Sequence, residues 1–227
     1  MRPKVALIDN SLDKNVYDPV RHWKAHLACE WISFEAKRSY FPALEEGFTH
    51  FILTGSEASI LEREKWVYEE VELVKLAIEK GISILGSCYG HQLLVLALLG
   101  PAHVKRCENP EVGWIKIRIE KENDLLGEGR TAHCFSIHFD EVVNLNQNFE
   151  VLASTRNCPI QAFKLKDKPV WGIQMHPEID IREGRSLLEK LLMLRHPNSP
   201  LIEKALNSKP RDSGLIKPIL RKFLKIK

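Results

Sequence analysis

Short apolar runs alternate with amphipathic segments along the first hundred residues of the chain. Each run ends at a glycine or at small polar residues, which is the pattern of a buried strand followed by a loop. The intervening segments place apolar residues three or four positions apart, as one face of a helix requires. Gly81 follows the clearest of these segments and is expected to end that helix. The predicted strands are 4–9, 31–36, 49–55 and 82–88, and the predicted helices are 16–28, 62–80 and 89–100.

The second half of the chain has a different pattern. Strand followed by helix in regular alternation predicts right-handed crossovers and a parallel sheet covered on both faces. After Pro101 the pattern becomes β-rich, and only a helix at about 182–195 follows it. The fold class is therefore α/β, with a mostly parallel open sheet flanked by helices in a flavodoxin-like three-layer arrangement and a smaller antiparallel β part in the second half. The later strands are predicted at 113–121, 132–143 and 149–155, and as a pair within 161–174 that turns at 166–169.

Length and charge divide the chain into a body and a tail. The 227 residues suit one ordinary domain, which we place at 1–196, followed by a basic C-terminal extension at 197–227. The extension has eight basic and two acidic residues, so its net charge is +6, whereas the body carries −3. Pro218 is expected to open a short helix with apolar residues on one side and basic residues on the other. That helix is interpreted either as a solvated face or as a docking element for a partner.

Composition excludes several classes of protein. Hydrophobic residues make up 44% of the chain and charged residues 28%, which is typical of a globular protein. No apolar stretch is long enough to span a membrane, and the N-terminus does not resemble a signal peptide. The five cysteines include no Cys-x-x-Cys pair, so reduced thiols and a cytoplasmic location are expected. The acidic body argues against a nucleic-acid partner.

The motif with the most chemical content is Gly86-Ser-Cys-Tyr-Gly-His-Gln92, at the junction of a predicted strand and helix. It has the form of a nucleophile elbow with sulfur in the central place, where flanking glycines avoid a collision between strand and helix. Cys88 would then lie at the N-terminus of a helix, whose positive end favours a thiolate. The alternative is that Cys88 is one more buried, unreactive cysteine.

A second motif, His176-Pro177-Glu178, follows the last predicted strand. His176 can take the proton of a thiol and return it to a leaving amine, and Glu178 can hold the imidazole in the right tautomer. Alone, His176 is equally well explained as a hydrogen-bonded residue at the end of a strand. With the elbow, it predicts a cysteine nucleophile.

On these motifs the sequence resembles the class I, triad-type glutamine amidotransferases. Gly-x-Cys-x-Gly-x-Gln and His-Pro-Glu occur in the order and at the separation typical of that family, and the resemblance covers about residues 4–180. Within the family, the motif order is most similar to the glutaminase domain or subunit of GMP synthetase. The supporting stretches are LIDN, ILTGS, HFDEVVNL, VLAST and QAF.

The resemblance implies a role for each matching residue. Cys88 would attack the side-chain amide of glutamine to give a γ-glutamyl thioester, with His176 as base and acid and Glu178 as its partner. The backbone N–H groups of Tyr89 and Gly55 would hold the oxyanion. The remaining implied positions are Gln92 in the substrate pocket, His138 and Asp140 as a supporting pair or else a solvated strand end, and His91 as a packing residue.

The resemblance also implies what the protein works with. The substrate would be L-glutamine or another γ-glutamyl compound, and no cofactor is implied. No metal is expected, since His133 and His138 lack further ligands at a suitable spacing. No acceptor domain follows the body, so a separate ammonia-accepting synthetase is expected. Two positions depart from the family pattern: the Ser56-Glu57 pair after Gly55, and Ile137 before His138.

Two other functions remain open at this point. The same thioester chemistry cleaves any γ-glutamyl amide, so a hydrolase of γ-glutamyl peptides or amines is the enzymatic alternative. The other alternative is a binding or regulatory protein that has kept the fold without catalysis.

Overall fold

The structure, a computed structural model, describes residues 2–226 and is built on a nine-stranded mixed sheet with the order β2-β1-β3-β4-β9-β8-β7-β5-β6. The first five strands in this order are parallel, and the remaining pairs are antiparallel. The predicted α/β class and its antiparallel part are thus confirmed. The strands are β1 (Lys4–Asp9), β2 (Glu30–Glu35), β3 (His50–Leu53), β4 (Ser83–Ser87), β5 (Val104–Ile119), β6 (Arg130–Val142), β7 (Phe149–Ser154), β8 (Ala162–Leu165) and β9 (Val170–Ile173).

Helices cover both faces of the parallel half. Alternation along β1 sends Ala6 and Ile8 to a core formed with α2 and α3, and Val5 and Leu7 to a core formed with α6. Helices α4 and α5 pack on the antiparallel part. None of the described helices is long and apolar enough to cross a membrane. The helices are α1 (Pro19–Lys24), α2 (Lys65–Glu79), α3 (Tyr89–Leu99), α4 (Ile181–Leu194), α5 (Pro200–Asn207) and α6 (Ile216–Phe223).

The basic extension supplies one of the helices in the layers. The predicted boundary at 196 falls between α4 and α5, and α6 begins at Ile216 rather than at Pro218. Ile219 and Phe223 are fully buried against the sheet, and the Phe223 carbonyl accepts a hydrogen bond from His50 Nε2 at 3.1 Å. The interpretation of this helix as a solvated face is therefore wrong, and its role as a docking element for a partner stays a prediction. Its apolar side completes the core of the protein itself.

Two elements differ from the predicted bounds for local reasons. Helix α1 is shorter than predicted because Asp18 caps its first turn, accepting a hydrogen bond from Arg21 N at 3.1 Å, and Pro19 follows as the first helical residue. Strand β5 begins well before the predicted residue 113, because its first half pairs with β6 and then passes through a bulge between Arg106 and Glu111. Pro110 lies in that bulge, where a missing N–H is tolerated.

Candidate active site

Cys88 occupies a strained turn between β4 and α3. Its backbone has φ 48° and ψ −100°, a combination that residues other than glycine rarely adopt. The Cys88 N–H donates to the Ile173 carbonyl of the neighbouring strand β9 at 2.8 Å, which holds the turn in place. Such strain costs on the order of 1–3 kcal/mol and persists only where the surroundings enforce it. Here it turns the sulfur to the carboxyl edge of the sheet.

The two elbow glycines have no room for a side chain. A Cβ at Gly86 would come within 3.0 Å of the Gly90 carbonyl oxygen, and a Cβ at Gly90 equally close to the Leu53 carbonyl oxygen. Real Cβ atoms essentially never show such separations from backbone atoms. The close approach of α3 to β3 and β4 therefore explains why glycine stands two residues on either side of Cys88.

His176 and Glu178 reach the same edge of the sheet from β9. Because β9 is parallel to β4, both motifs leave the sheet on the same side. His176 Nδ1 lies 2.8 Å from Glu178 Oε1, and each residue is only 2% exposed. The His176 N–H donates to the Phe135 carbonyl at 2.8 Å, which fixes the start of this turn. The Tyr17 hydroxyl donates to Glu178 Oε1 at 3.3 Å.

The charges around His176 favour its protonated form. Burial on its own lowers the pKa of the imidazole, but negative charge on the Cys88 sulfur and on the Glu178 carboxylate outweighs burial and raises the pKa to about 10. Nδ1 faces Glu178, so the other ring nitrogen is left for the sulfur. The carboxylate and the imidazole thus form a hydrogen-bonded pair, and the charge on the Cys88 sulfur acts on the imidazole.

Two further groups contact the Cys88 sulfur. Gln174 Nε2 donates to Sγ at 3.5 Å, and the thiol lies 3.6 Å from the Ile137 carbonyl oxygen, to which it can donate. Gln174 and Tyr17 were not among the predicted site residues. Gln174 lies two positions before His176 and is fully buried, so the alternation of a strand end was a usable signal. Tyr17 lies 161 residues from Glu178, and nothing in its local sequence marks it.

The predicted oxyanion donors both lie beside the nucleophile. A Cβ on Gly55 would come 2.6 Å from His176 Cε1 and 3.5 Å from Cys88 Cβ, so this glycine stands between the two side chains. Tyr89 is the first residue of α3. Within residues 2–226, neither backbone N–H has a hydrogen-bond partner. Two donors near the sulfur are thus available to a ligand.

Gln92, predicted to line the substrate pocket, lies in the first turn of α3 and is 3% exposed. Its amide donates to the Asp140 carbonyl at 2.8 Å and to Gln174 Oε1 at 3.2 Å. Because Gln174 in turn contacts the sulfur, a continuous set of hydrogen bonds connects Cys88 to the β6 strand.

His138 and Asp140 are buried, so the interpretation of this pair as a solvated strand end is wrong. His138 contacts no residue of the Cys88, His176 and Glu178 set; its Nε2 lies 3.1 Å from Glu111 Oε2. Asp140 Oδ2 accepts from the Ser59 hydroxyl at 2.6 Å.

Among the described residues, His91 and His133 neither line the cavity nor contact the Cys88 sulfur. The His91 ring packs on Phe163 with centroids 4.8 Å apart, and burial lowers its pKa to about 3. The His133 backbone N–H donates to the Ser213 hydroxyl at 2.9 Å. Among the described residues, one buried group has three possible metal-ligating atoms within 4.8 Å of one another: Glu111, His138 and Cys158. His133 is not part of it.

A cavity of about 320 Å³ opens over the sulfur. Its walls come from the loop after β3, the first turn of α3, strand β6 and helix α4. Polar and charged groups line the side next to the loop after β3, whereas Leu187 and Leu191 of α4 line another part. The cavity is therefore a mixed pocket that gives a polar substrate access to Cys88.

A cysteine on a strained elbow beside a buried histidine–carboxylate pair is typical of α/β proteins with a cysteine nucleophile. Comparison with known proteins defines the family. The sequence model of "Glutamine amidotransferase class-I" matches residues 6–194. The chain belongs to the class I glutamine amidotransferase family.

Individual relatives agree with this assignment. A subunit of the glutamine-hydrolysing GMP synthase of Methanocaldococcus jannaschii is 39% identical over 118 residues, which are 51% of this chain and 62% of that protein. The GMP synthase of Caldicellulosiruptor saccharolyticus is 34% identical over 151 residues, 66% of this chain and 28% of that protein. The chain thus spans about three fifths of the length of the curated GMP synthase subunits that it matches.

Solved structures share the fold. A glutamine amidotransferase from Thermotoga maritima superposes with a TM-score of 0.73 at 20% identity, covering 99% of this chain and 97% of that one. A glutamine amidotransferase from Methylobacillus flagellatus gives a TM-score of 0.77 at 17% identity, covering 99% of this chain and 94% of that one. At such identities the comparison concerns the fold alone.

Proposed function

We propose that this protein is a glutaminase that hydrolyses the side-chain amide of L-glutamine through a thioester on Cys88. The observation that supports the proposal is the hydrogen-bonded pair of His176 and Glu178 at the edge of the sheet where Cys88 follows β4, with Cys88 and His176 both lining the cavity. The names of the curated relatives, which are glutamine-hydrolysing GMP synthases and their subunits, support the same substrate.

The proposed reaction has two halves. The Cys88 thiolate attacks the amide carbon, and the N–H groups of Gly55 and Tyr89 hold the oxyanion. When the C–N bond breaks, His176 gives its proton to the leaving nitrogen, so ammonia departs and a γ-glutamyl thioester remains. A water molecule then attacks the thioester while His176 takes its proton. The C–S bond breaks, which releases glutamate and restores the thiol. Glu178 stabilises the imidazolium whenever the ring is charged.

The ammonia is proposed to pass to a separate acceptor enzyme. Several of the curated relatives are named as one subunit of GMP synthase, and therefore belong by name to an enzyme of more than one subunit. These names support a synthetase as the partner. Glutamine hydrolysis without an acceptor would waste the amide nitrogen, so activity of the isolated chain is expected to be low and to rise with the partner.

A second candidate is hydrolysis of γ-glutamyl peptides or amines by the same three residues. It is favoured by Leu187 and Leu191, which line the cavity and offer an apolar surface to a substituent on the γ-nitrogen. Glutamine itself has no such substituent.

The deciding experiment measures glutamate release from L-glutamine and, in parallel, from a γ-glutamyl dipeptide. Cys88→Ala serves as the blank, and Cys29→Ala, at a partly exposed cysteine outside the cavity, serves as the matched control. Preferential turnover of glutamine that depends on Cys88 but not on Cys29 is expected. Preference for the dipeptide would establish the hydrolase instead, and no turnover of either substrate would leave a partner-activated subunit or a non-catalytic relative.

A further inference from the structure

The cavity must match the charges of its substrate. Every γ-glutamyl compound with an unmodified α-carboxyl group carries a carboxylate on its α-carbon. A carboxylate that is removed from water must be stabilised by a cation or by several hydrogen-bond donors. Among the described residues that line the cavity, Arg106 is the one lysine or arginine; the other formally charged residues besides histidine are Glu57, Glu62 and Asp140. The arginine is therefore the cation available to the α-carboxylate.

The position of Arg106 is set by the irregularity in strand β5. Arg106 pairs with Asp140 in the β5–β6 ladder, and the register shifts immediately after this pair. A bulge bends its strand and redirects the neighbouring side chains, which is a recurrent device beside active sites. Here the last regular pair before the bulge places an arginine and an aspartate together at the cavity wall.

Asp140 positions the Arg106 guanidinium but uses only some of its N–H donors. Arg106 Nη1 lies 3.0 Å from Asp140 Oδ1, and Asp140 Oδ2 accepts a hydrogen bond from the Ser59 hydroxyl at 2.6 Å. The Asp140 side chain is 5% exposed, whereas that of Arg106 is 57% exposed. A guanidinium has five N–H donors in a planar fork that fits a carboxylate, so donors remain for a ligand.

A series of hydrogen bonds connects Asp140, the partner of Arg106, to the Cys88 sulfur. Gln92 donates to the Asp140 carbonyl and to Gln174, and Gln174 donates to the Cys88 sulfur. Residues at both ends of this series of contacts line the same cavity. A substrate that places its amide at Cys88 can thus extend its α-carbon toward the Arg106–Asp140 pair.

We propose that Arg106 binds the α-carboxylate of the γ-glutamyl substrate and that Asp140 and Ser59 position its guanidinium. This inference rests on the proposed glutaminase function and adds to it the group that selects an α-amino acid over a simple amide.

The test compares L-glutamine with 4-aminobutanamide, which is glutamine without the α-carboxylate, and measures ammonia release. Arg106→Met is expected to lower kcat/KM for glutamine by roughly 10- to 100-fold, mainly through KM, because it removes a charged binding contact. It should leave turnover of 4-aminobutanamide unchanged within about threefold. Arg106→Lys should recover part of the loss. Lys105→Met, at an exposed neighbour outside the cavity, is the control and should change neither substrate.

Asp140→Asn tests the positioning role. It is expected to raise KM for glutamine without lowering kcat, and to add nothing when combined with Arg106→Met, because both changes act through the same guanidinium. An equal loss on both substrates, or an unchanged KM for glutamine in Arg106→Met, would overturn the proposal.

A binding measurement separates this proposal from the proposed function. Calorimetry of L-glutamine binding to Cys88→Ala, with and without Arg106→Met, needs no turnover. Affinity that falls at least about tenfold on loss of the arginine supports the subsite even if the isolated chain is inactive. Affinity that does not change refutes the subsite even if glutaminase activity is present.

Discussion

The protein contains two buried histidine–glutamate pairs that look alike in isolation. His176 Nδ1 lies 2.8 Å from Glu178 Oε1, and His138 Nε2 lies 3.1 Å from Glu111 Oε2. All four residues are more than nine-tenths buried. Each pair has a cysteine beside it: Cys88 next to His176, and Cys107, whose sulfur lies 3.4 Å from His138 Nδ1. Of these two cysteines, Cys88 lines the cavity and Cys107 does not.

The difference lies in the neighbours of each pair. Glu111 accepts from the Thr155 hydroxyl at 2.7 Å and from the Gln161 amide at 2.5 Å, so both of its oxygens are used. The second nitrogen of His138 lies 3.1 Å from the Asp140 carbonyl oxygen and 3.4 Å from the Cys107 sulfur.

Glu178 has fewer partners. Its Oε1 contacts His176 and Tyr17, and within residues 2–226 its Oε2 has no hydrogen-bond partner. We expect the pair whose side-chain atoms all have partners to stabilise the fold, and the pair beside the cysteine that lines the cavity to move a proton.

The largest expected contrast is between the two histidines. His176→Gln is expected to lower kcat for glutamine by roughly 10³- to 10⁴-fold, because it removes the base and acid of both half-reactions. His138→Gln is expected to keep kcat within about tenfold and to lower the free energy of unfolding by about 1–2 kcal/mol. Steady-state kinetics and urea unfolding of the two variants measure this. Similar losses of kcat in both variants would contradict the different roles expected for His176 and His138.

The two glutamates should differ next most. Glu178→Gln is expected to reduce kcat roughly 100-fold, since the amide neither fixes the tautomer nor stabilises the imidazolium as a carboxylate does. Glu111→Gln is expected to cost about 2 kcal/mol of unfolding free energy, because its amide N–H₂ would face either the Thr155 hydroxyl or the Gln161 amide, both of which donate to Glu111. The same two assays apply, with kcat as the discriminating quantity. Full activity in Glu178→Gln would contradict the proposed role.

The protonation of His176, the histidine of the first pair, can be followed directly by NMR titration. The raised pKa of His176, about 10, means that the imidazolium form is favoured and that the ring stays protonated at pH 8, losing its proton only as the pH approaches 10. In Cys88→Ala the negative sulfur is absent, so the pKa of His176 is expected to fall by roughly 1 to 3. If the pKa of His176 is the same with and without the Cys88 thiol, the two side chains do not interact and the proposed pairing is contradicted.

The smallest expected effect concerns Tyr17, whose hydroxyl contacts the proposed catalytic pair of His176 and Glu178. Tyr17→Phe removes one hydrogen bond to Glu178 and is expected to lower kcat about three- to tenfold. Thr155→Val removes the comparable hydroxyl at Glu111 and is expected to leave kcat unchanged. Kinetic constants of the two variants, after circular dichroism has shown that both are folded, make this comparison. A larger loss of kcat in Thr155→Val than in Tyr17→Phe would contradict this expectation.

The parts of this molecule that were predictable depend on short-range patterns. The strand, elbow and helix at 82–100 follow from apolar runs and from two glycines whose absence of a side chain is a steric requirement. His176 and Glu178 are two residues apart, so a single turn brings them together. The parallel order of the first strands follows from the alternation of elements.

The remaining features depend on contacts between distant parts of the chain. Glu111 meets His138 across a bulge that no local pattern announces, and Tyr17 reaches Glu178 from the loop before α1. Helix α6 has the amphipathic pattern that was expected, but the pattern does not say whether its apolar side meets a partner or its own sheet. Nothing in the local sequence distinguishes Arg106 from other basic residues, because its position depends on the β5–β6 pairing that places it opposite Asp140.

The most direct test of the central claim is covalent labelling with a diazoketone analogue of glutamine, followed by peptide mapping. We expect a single adduct on Cys88, no adduct on the other four cysteines, and a strongly reduced rate in His176→Gln but not in His138→Gln. Labelling of several cysteines, or of Cys88 at the same rate in both histidine variants, would contradict the assignment of His176 as the base that activates this thiol.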